Sequence, residues 1–240
     1  MAENPRGPAV VSGAGSGLGR ELALALARRG HPLVLLGRRS LPLEETLELA
    51  GADARSAGLI LPCDVRDGLA IERGAEEINA RWGAAEVVVP AAGVAAIAPI
   101  VETSEDDFKI AIATNLTGAF LLIRALLPAM KEKDRGVIVP ILSVAAQQPF
   151  SGWSAYCASK WGLAGLVAVL REELKGSGVR VTALYPGATD TPLWNTLPGE
   201  WNRSKMVPPS EVARALIYAL DAPESTLVEE VHLGPAGGTL

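Results

Sequence analysis

Apolar residues in this chain fall into short unbroken runs, separated by longer stretches in which they recur every three or four positions. The runs are AVV (9–11), LVLL (33–36), LIL (59–61), VVV (87–89), VIVPIL (137–142), VRVTALY (179–185) and VEEVHL (228–233). The periodic stretches lie near 18–29, 43–50, 68–81, 105–131, 155–175 and 210–221. A strand with one wet face alternates apolar and polar residues. Most of these runs are instead apolar at successive positions, which predicts burial on both faces, as in a parallel sheet covered by helices. The strand–helix rhythm predicts an α/β fold, a doubly wound parallel sheet of about seven strands, with residues 1–240 forming a single domain. Ser104 before Glu105, Asp106 and Asp107, and Ser210 before Glu211, supply capped helix starts with acids in the first turn.

Composition narrows the class. Of 240 residues, 49% are apolar and 20% charged, as in a folded globular chain, and no repeat or low-complexity tract divides it. A net charge of −5 without a dense basic run argues against a nucleic-acid partner. Two cysteines, Cys63 and Cys157, and two histidines, His31 and His232, are too few for a disulfide framework or a multi-histidine metal site. The opening MAENPRGPAVV shows no charged leader followed by an apolar run. The most apolar stretch, VVVPAAGVAAIAPIV, is interrupted by Pro90, Gly93 and Pro99 and is short for a membrane span. The expectation is a cytoplasmic protein with no metal, no membrane partner and no nucleic acid.

In open parallel sheets ligands bind at the carboxyl ends of the strands, so chemistry is sought just after each run. The first run is followed by SGAGSGLG (12–19) and then a helical pattern. Gly13, Gly17 and Gly19 leave the backbone bare beside a helix start, where free N–H groups suit a pyrophosphate. A tight turn needing glycine for conformation alone gives the same letters. Farther on, SAYCASKWG places Tyr156 and Lys160 four residues apart, on one face of a helix. Spacing alone does not separate a catalytic phenol with its ammonium partner from an ordinary helix surface.

The spacing Gly-x-x-x-Gly-x-Gly together with Tyr-x-x-x-Lys resembles the short-chain dehydrogenase/reductase family in its compact branch, over nearly the whole chain. The resemblance implies a Rossmann-like fold and an NAD(P)-dependent oxidoreductase. The family's catalytic serine, thirteen residues before the tyrosine, corresponds to Ser143 in PILSVAA. Its helix asparagine corresponds to Asn115 in IATNLTGAF, and its Pro-Gly-x-x-x-Thr segment to Pro186, Gly187 and Thr191 in PGATDT. The implied roles are Tyr156 as general acid/base, Lys160 as its charge partner and ribose ligand, Ser143 as donor to the substrate oxygen, and Asn115 as holder of a relay water. A phenol with a reference pKa near 10 needs such a positive neighbour to act near neutral pH. The same resemblance implies cofactor contacts from Ser16, Leu18, Val65, Ala92, Gly93 and Thr189 besides the glycines and the residues just named.

Cofactor choice turns on the end of the second run, LLGRRS. NAD-preferring relatives carry an acid there that binds the adenosine ribose, but this chain has Gly37 followed by Arg38 and Arg39. Guanidiniums can clamp a 2′-phosphate, so NADP(H) is expected over NAD(H), with Arg38 the first choice and Arg39 the second. In PCDVRD, Asp64 matches the family's adenine-contacting acid, although Asp64 or Asp67 could instead cap the next helix. Two departures stand out. Pro90 and Ala91 replace the usual Asn-Asn before Ala-Gly, and Pro140 lies in a run where a central strand is expected. A proline has no N–H for the ladder, so local pairing should suffer at both places.

The reaction expected is interconversion of a carbonyl and a secondary alcohol on a small molecule. A cofactor-sensing regulator or scaffold of the same fold should lack Ser143, Tyr156 or Lys160, and all three are intact. An epimerase or dehydratase of the extended branch is disfavoured by the short C-terminal part and the glycine spacing. A substrate lid is expected at about 188–208. Its Trp194, Leu197 and Trp201, with Trp153 nearby, suit either an apolar or aromatic substrate or simple anchoring of the lid. Arg124, Lys131, Lys133 and Arg135 suit either docking of an acyl carrier or a solvated helix end. Surplus apolar residues on two long helices predict a homodimer or homotetramer: Leu121, Leu122, Leu126 and Leu127 on one, and Leu163, Leu166, Val167, Val169 and Leu170 on the other.

Overall fold

A computed structural model describes residues 6–223 and 225–238. The first half of the chain forms β1 (Ala9–Ser12), α1 (Gly17–Arg28), β2 (Leu33–Gly37), α2 (Ser40–Leu49), α3 (Ala52–Ala57), β3 (Leu59–Pro62), α4 (Gly68–Trp82) and β4 (Val87–Val89). The second half forms α5 (Glu105–Ala111), α6 (Gly118–Glu132), β5 (Gly136–Ile138), α7 (Ser154–Glu173), β6 (Val179–Val181), β7 (Ala183–Pro186), α8 (Pro209–Asp221) and β8 (Glu230–Leu233).

The strands pair in parallel in the order β3-β2-β1-β4-β5-β6, and β7 pairs in parallel with β8. Only Thr182 separates β6 from β7. Hydrogen bonds from Leu184 N to Pro140 O (3.1 Å) and from Leu142 N to Leu184 O (2.8 Å) hold β7 beside the β5 chain, while Ala183 N reaches Glu229 O (2.8 Å) on the other side. The sheet therefore continues through β7 to β8, which fills the seventh position. Its order reverses between β1 and β4, and the crevice at such a switch point is where α/β folds bind ligands.

Successive strand residues face opposite sides of the sheet, and both sides are buried. Val10, Val34, Leu36, Val88 and Ile138 pack with Ile71, Leu122, Leu126, Leu163 and Val167 of α4, α6 and α7. Ala9, Val11, Leu33, Leu35 and Val89 pack with Leu22, Leu26, Val212 and Leu216 of α1 and α8. This double coverage is why the apolar runs are continuous.

Several boundaries differ from the sequence expectation. The regular strand in the run 137–142 ends at Ile138 and Pro140 has no N–H to donate. Yet Val139 N (to Val88 O, 2.7 Å) and Ile141 N (to Pro90 O, 3.2 Å) keep the segment hydrogen-bonded to the chain of β4 on either side of the proline. The helix expected at 43–50 starts at Ser40. It ends before Gly51, whose φ of 98° is left-handed, and a separate α3 of sequence ADARSA follows. The stretch 105–131 is one continuous helical rod, but Ile112–Thr117 within it is a π-helical turn. By length and composition this rod (Glu105–Glu132) could cross a membrane, yet it buries Leu122, Ile123, Leu126 and Met130 against the sheet.

Candidate active site

A cleft of about 910 Å³ runs along the carboxyl ends of the strands. It is lined by Gly13, Ser16, Gly17, Leu18, Gly19, Arg38, Arg39, Asp64 and Val65, and farther along by Ala92, Gly93, Ser143, Tyr156, Lys160, Pro186, Gly187, Thr189 and Thr191. Among the residues singled out from the sequence as site residues, Asn115 alone lies behind the wall.

The β1–α1 turn has the features of a phosphate seat. Gly17 has φ +52°, and a side chain on Gly19 would put its Cβ 2.3 Å from Gly13 O. These glycines are therefore needed by the turn itself. Ser16 is the helix N-cap, but no side chain caps α1, so the first N–H groups remain available to an anion. At Gly93, by contrast, an added Cβ would meet only Asn115 Oδ1 at 3.5 Å, an ordinary contact. Packing does not demand that glycine, and its bare backbone leaves that part of the cleft wall open. The turn, the bare Gly93 and the volume of the cleft, about 910 Å³, together fit a dinucleotide.

At the far end, Arg38 and Arg39 are exposed and make no ion pair among the described residues. The positions at the end of β2, residues 37–40, carry no carboxylate. Of the two aspartates of PCDVRD, one is a helix cap. Asp67 caps α4, accepting from Ala70 N at 3.0 Å, whereas Asp64 lines the cleft and pairs with Arg66 at 2.6 Å. The hydrogen bonds from Arg66 hold the Asp64 carboxyl below its usual pKa, so it is a carboxylate at neutral pH. Arg66 was not singled out from the sequence.

At the near end α7 presents Tyr156 and Lys160 one turn apart. Lys160 is buried, donates from Nζ to Ile141 O at 2.8 Å, and holds Nζ 5.7 Å from the centre of the Tyr156 ring. Burial lowers its pKa to about 8. Tyr156 keeps partial exposure to the cleft but is enclosed by protein elsewhere. That enclosure raises the phenol's pKa, with the neighbouring Ser143 hydroxyl acting in the opposite direction. Ser143 itself sits on the loop after β5, where its Oγ accepts from Ala145 N at 3.1 Å.

Asn115 lies in the π-helical turn and is buried. Its Oδ1 accepts from Val94 N (2.8 Å), while Nδ2 donates to Val94 O (2.9 Å) and Ser159 Oγ (2.9 Å). Ser159 in turn donates to Tyr156 O at 2.7 Å. The carboxamide thus ties the loop after β4 to α7, and both its hydrogens are committed. On the other side of that loop, Ser12 Oγ accepts from Ala91 N and Ala92 N, each at 3.1 Å. This hydroxyl anchors the segment in which Pro90-Ala91 departs from the family's pattern. Neither Ser12 nor Ser159 carries a sequence signal that marks it, because both act through residues distant in the chain. The basic cluster is partly spoken for: Arg124 pairs with Glu72 at 2.7 Å and Arg135 with Glu86 at 2.9 Å.

The profile of the family described as short chain dehydrogenase matches residues 8–200. Sepiapterin reductase of Chlorobaculum tepidum is 34% identical, over 96% of this chain and 97% of that protein. Among solved structures, an alcohol dehydrogenase from the archaeon Thermococcus sibiricus complexed with 5-hydroxy-NADP superposes with a TM-score of 0.88 at 28% identity, covering 96% of this chain and 97% of that one. The closed form of a serine dehydrogenase complexed with NADP+ also gives 0.88 at 28% identity, covering 97% and 96%. The chain belongs to the short-chain dehydrogenase/reductase family, and it is an oxidoreductase.

Proposed function

We propose that this protein interconverts a carbonyl compound and its secondary alcohol with NADP(H), with Tyr156 as general acid/base. The observation that carries the reading is the grouping of Tyr156, Lys160 and Ser143 in the same cleft as the β1–α1 turn. When bound, the nicotinamide supplies or accepts the hydride. Tyr156 gives its proton to the carbonyl oxygen in reduction and takes it back in oxidation. Ser143 donates a hydrogen bond to that same oxygen and stabilises the charge that develops on it. Lys160 supplies the positive charge that opposes the effect of burial on the phenol. Asn115, through Val94 and Ser159, positions the loop after β4 and the first turns of α7.

NADP(H) is favoured over NAD(H) by the absence of an acid at the end of β2 and by the two uncommitted guanidiniums there; the NADP complexes of two structural relatives point the same way. The outward-facing apolar side chains of α6 and α7 support a homodimer or homotetramer. The segment 188–208 serves as the lid. The reading is tested by following NADPH oxidation against a panel of ketones and identifying the product. Stoichiometric formation of a secondary alcohol supports it, and failure with every carbonyl offered opposes it.

A further inference from the structure

Around Tyr156 the cleft is walled by Trp153, Trp194, Trp201, Phe150, Ile110 and Leu193. Trp153 meets the Tyr156 ring edge-on with centres 5.5 Å apart, and meets Trp194 edge-on at 6.0 Å. Trp194 tilts against Trp201 at 4.7 Å. Four rings therefore form an unbroken chain that begins at the proposed proton donor. The charged side chains lining the cleft are elsewhere: Arg38, Arg39, Asp64 and Arg66 stand at the adenosine end, and the Lys160 ammonium is tied to Ile141 O. Thr114 and Thr196, which add polar groups to the walls, are neutral.

These walls discriminate by chemistry. A substrate carboxylate or ammonium would leave water here without an opposite charge to meet it. Beyond the reacting pair Ser143 and Tyr156, a polyol would find only Thr114, Thr196 and the Trp201 Nε1–H, which has no partner among the described residues, to replace its hydrogen bonds to water. A flat aromatic ring would exchange water for edge-to-face and offset contacts, which favour it beyond simple burial. We infer that the substrate is a ketone, or the corresponding alcohol, carried on a neutral aromatic ring that lies against the tryptophan wall. This rests on the carbonyl chemistry proposed above. The competing role for the wall is to fasten segment 188–208, in which Trp194 Nε1 already donates to Thr189 O at 2.8 Å.

The test compares acetophenone with cyclohexyl methyl ketone, which has the same carbon skeleton but a saturated ring without π faces. The expected kcat/KM is about 3- to 10-fold higher for acetophenone, the ratio that aromatic contacts of this kind supply. Trp153→Leu and Trp194→Leu should each bring that ratio toward one, and Trp153→Phe should preserve it. Equal rates for the two ketones in the wild-type enzyme, or faster turnover of serine or a polyol, would overturn the inference while leaving carbonyl–alcohol chemistry intact. Equal losses on both ketones in the leucine variants would assign the wall to fastening and likewise overturn it. Calorimetric titration of the NADP+-loaded wild-type protein with both ketones gives an answer independent of variant folding and of turnover. Saturable binding of acetophenone at least 3-fold tighter than of its saturated analogue supports the aromatic site even if no carbonyl is reduced, an outcome that would sink only the proposed reaction. No binding preference would overturn the inference.

Discussion

Lys160 places its ammonium 5.7 Å from the centre of the Tyr156 ring while donating to Ile141 O at 2.8 Å. One charge is thereby fixed by a main-chain oxygen of the loop after β5, over the ring of Tyr156. Burial opposes that charge and lowers the lysine's pKa to about 8. In the unfolded chain the same group titrates near 10.5. A lysine lowered on folding costs stability wherever it is protonated in both states, below about pH 8, and the cost disappears as pH rises through 10.5.

Lys160→Met should accordingly raise stability at pH 7 by about 1–3 kcal/mol, the desolvation cost less the hydrogen bond to Ile141, and by much less at pH 10. The same variant should lose turnover. Urea denaturation at the two pH values checks the sign. A variant that is destabilised equally at both would show that the buried ammonium is not under strain.

Asn115 makes three hydrogen bonds, two of them to Val94. Asn115→Ala leaves the Val94 N–H and C=O without their partners and should cost about 1–3 kcal/mol. Ser159→Ala removes one of the three and should cost about 0.5–1.5 kcal/mol. Denaturant unfolding of both variants gives the comparison, and a larger loss for Ser159→Ala would contradict the anchoring role of the asparagine.

The sequence displayed the strand ends well, because a parallel sheet buried on both faces writes itself as uninterrupted apolar runs and the motifs follow those runs directly. It displayed the partners of those motifs poorly. Ser12 and Ser159 act on residues 79 and 44 positions away in the chain, beyond the reach of any local pattern. Helix α3 was hidden because ADARSA has no apolar periodicity and buries no residue. The run 179–185 reads as one strand, yet Thr182 divides its regular pairing into two parts, and Pro140 interrupts the neighbouring strand opposite.

The surplus of apolar residues on the two long helices is smaller than the sequence suggests. Leu122, Leu126, Leu163, Val167 and Leu170 are buried within the chain. Phe120 (40% exposed), Trp161 (52%) and Val169 (55%) remain outward on α6 and α7. If they form a subunit contact, light scattering at micromolar concentration should report a dimer or tetramer, and Trp161→Glu should lower the mass. A monomeric wild-type protein would exclude the contact.

Cofactor discrimination is expected to follow the end of β2. One charge-assisted hydrogen bond to a 2′-phosphate is worth roughly 1.5–3 kcal/mol, so NADP(H) should be preferred about 10- to 150-fold in kcat/KM. Gly37→Asp with Arg38→Leu should reverse the preference by supplying a ribose acceptor, repelling the phosphate and removing a clamp. A Cβ at Gly37 would lie 3.2 Å from Cδ2 of the buried Leu43, so the aspartate requires that side chain to shift by a few tenths of an ångström. Arg39 holding the phosphate alone would show itself as an unchanged ratio in Arg38→Leu. A wild-type preference for NAD(H) would overturn the assignment.

In the proposed reaction Tyr156 moves the proton, and Tyr156→Phe tests that role with least disturbance because only the hydroxyl is removed. The measurement is turnover of a good ketone substrate together with NADPH affinity on the same preparation. Loss of a general acid typically costs about 10²–10⁴-fold, and the loss should reach at least that range because Ser143, the other hydroxyl beside the phenol, is a far weaker proton donor. NADPH affinity should stay within about 3-fold of wild type, since Lys160 and the β1–α1 turn are untouched. Turnover near the wild-type value, with NADPH still bound, would contradict the account.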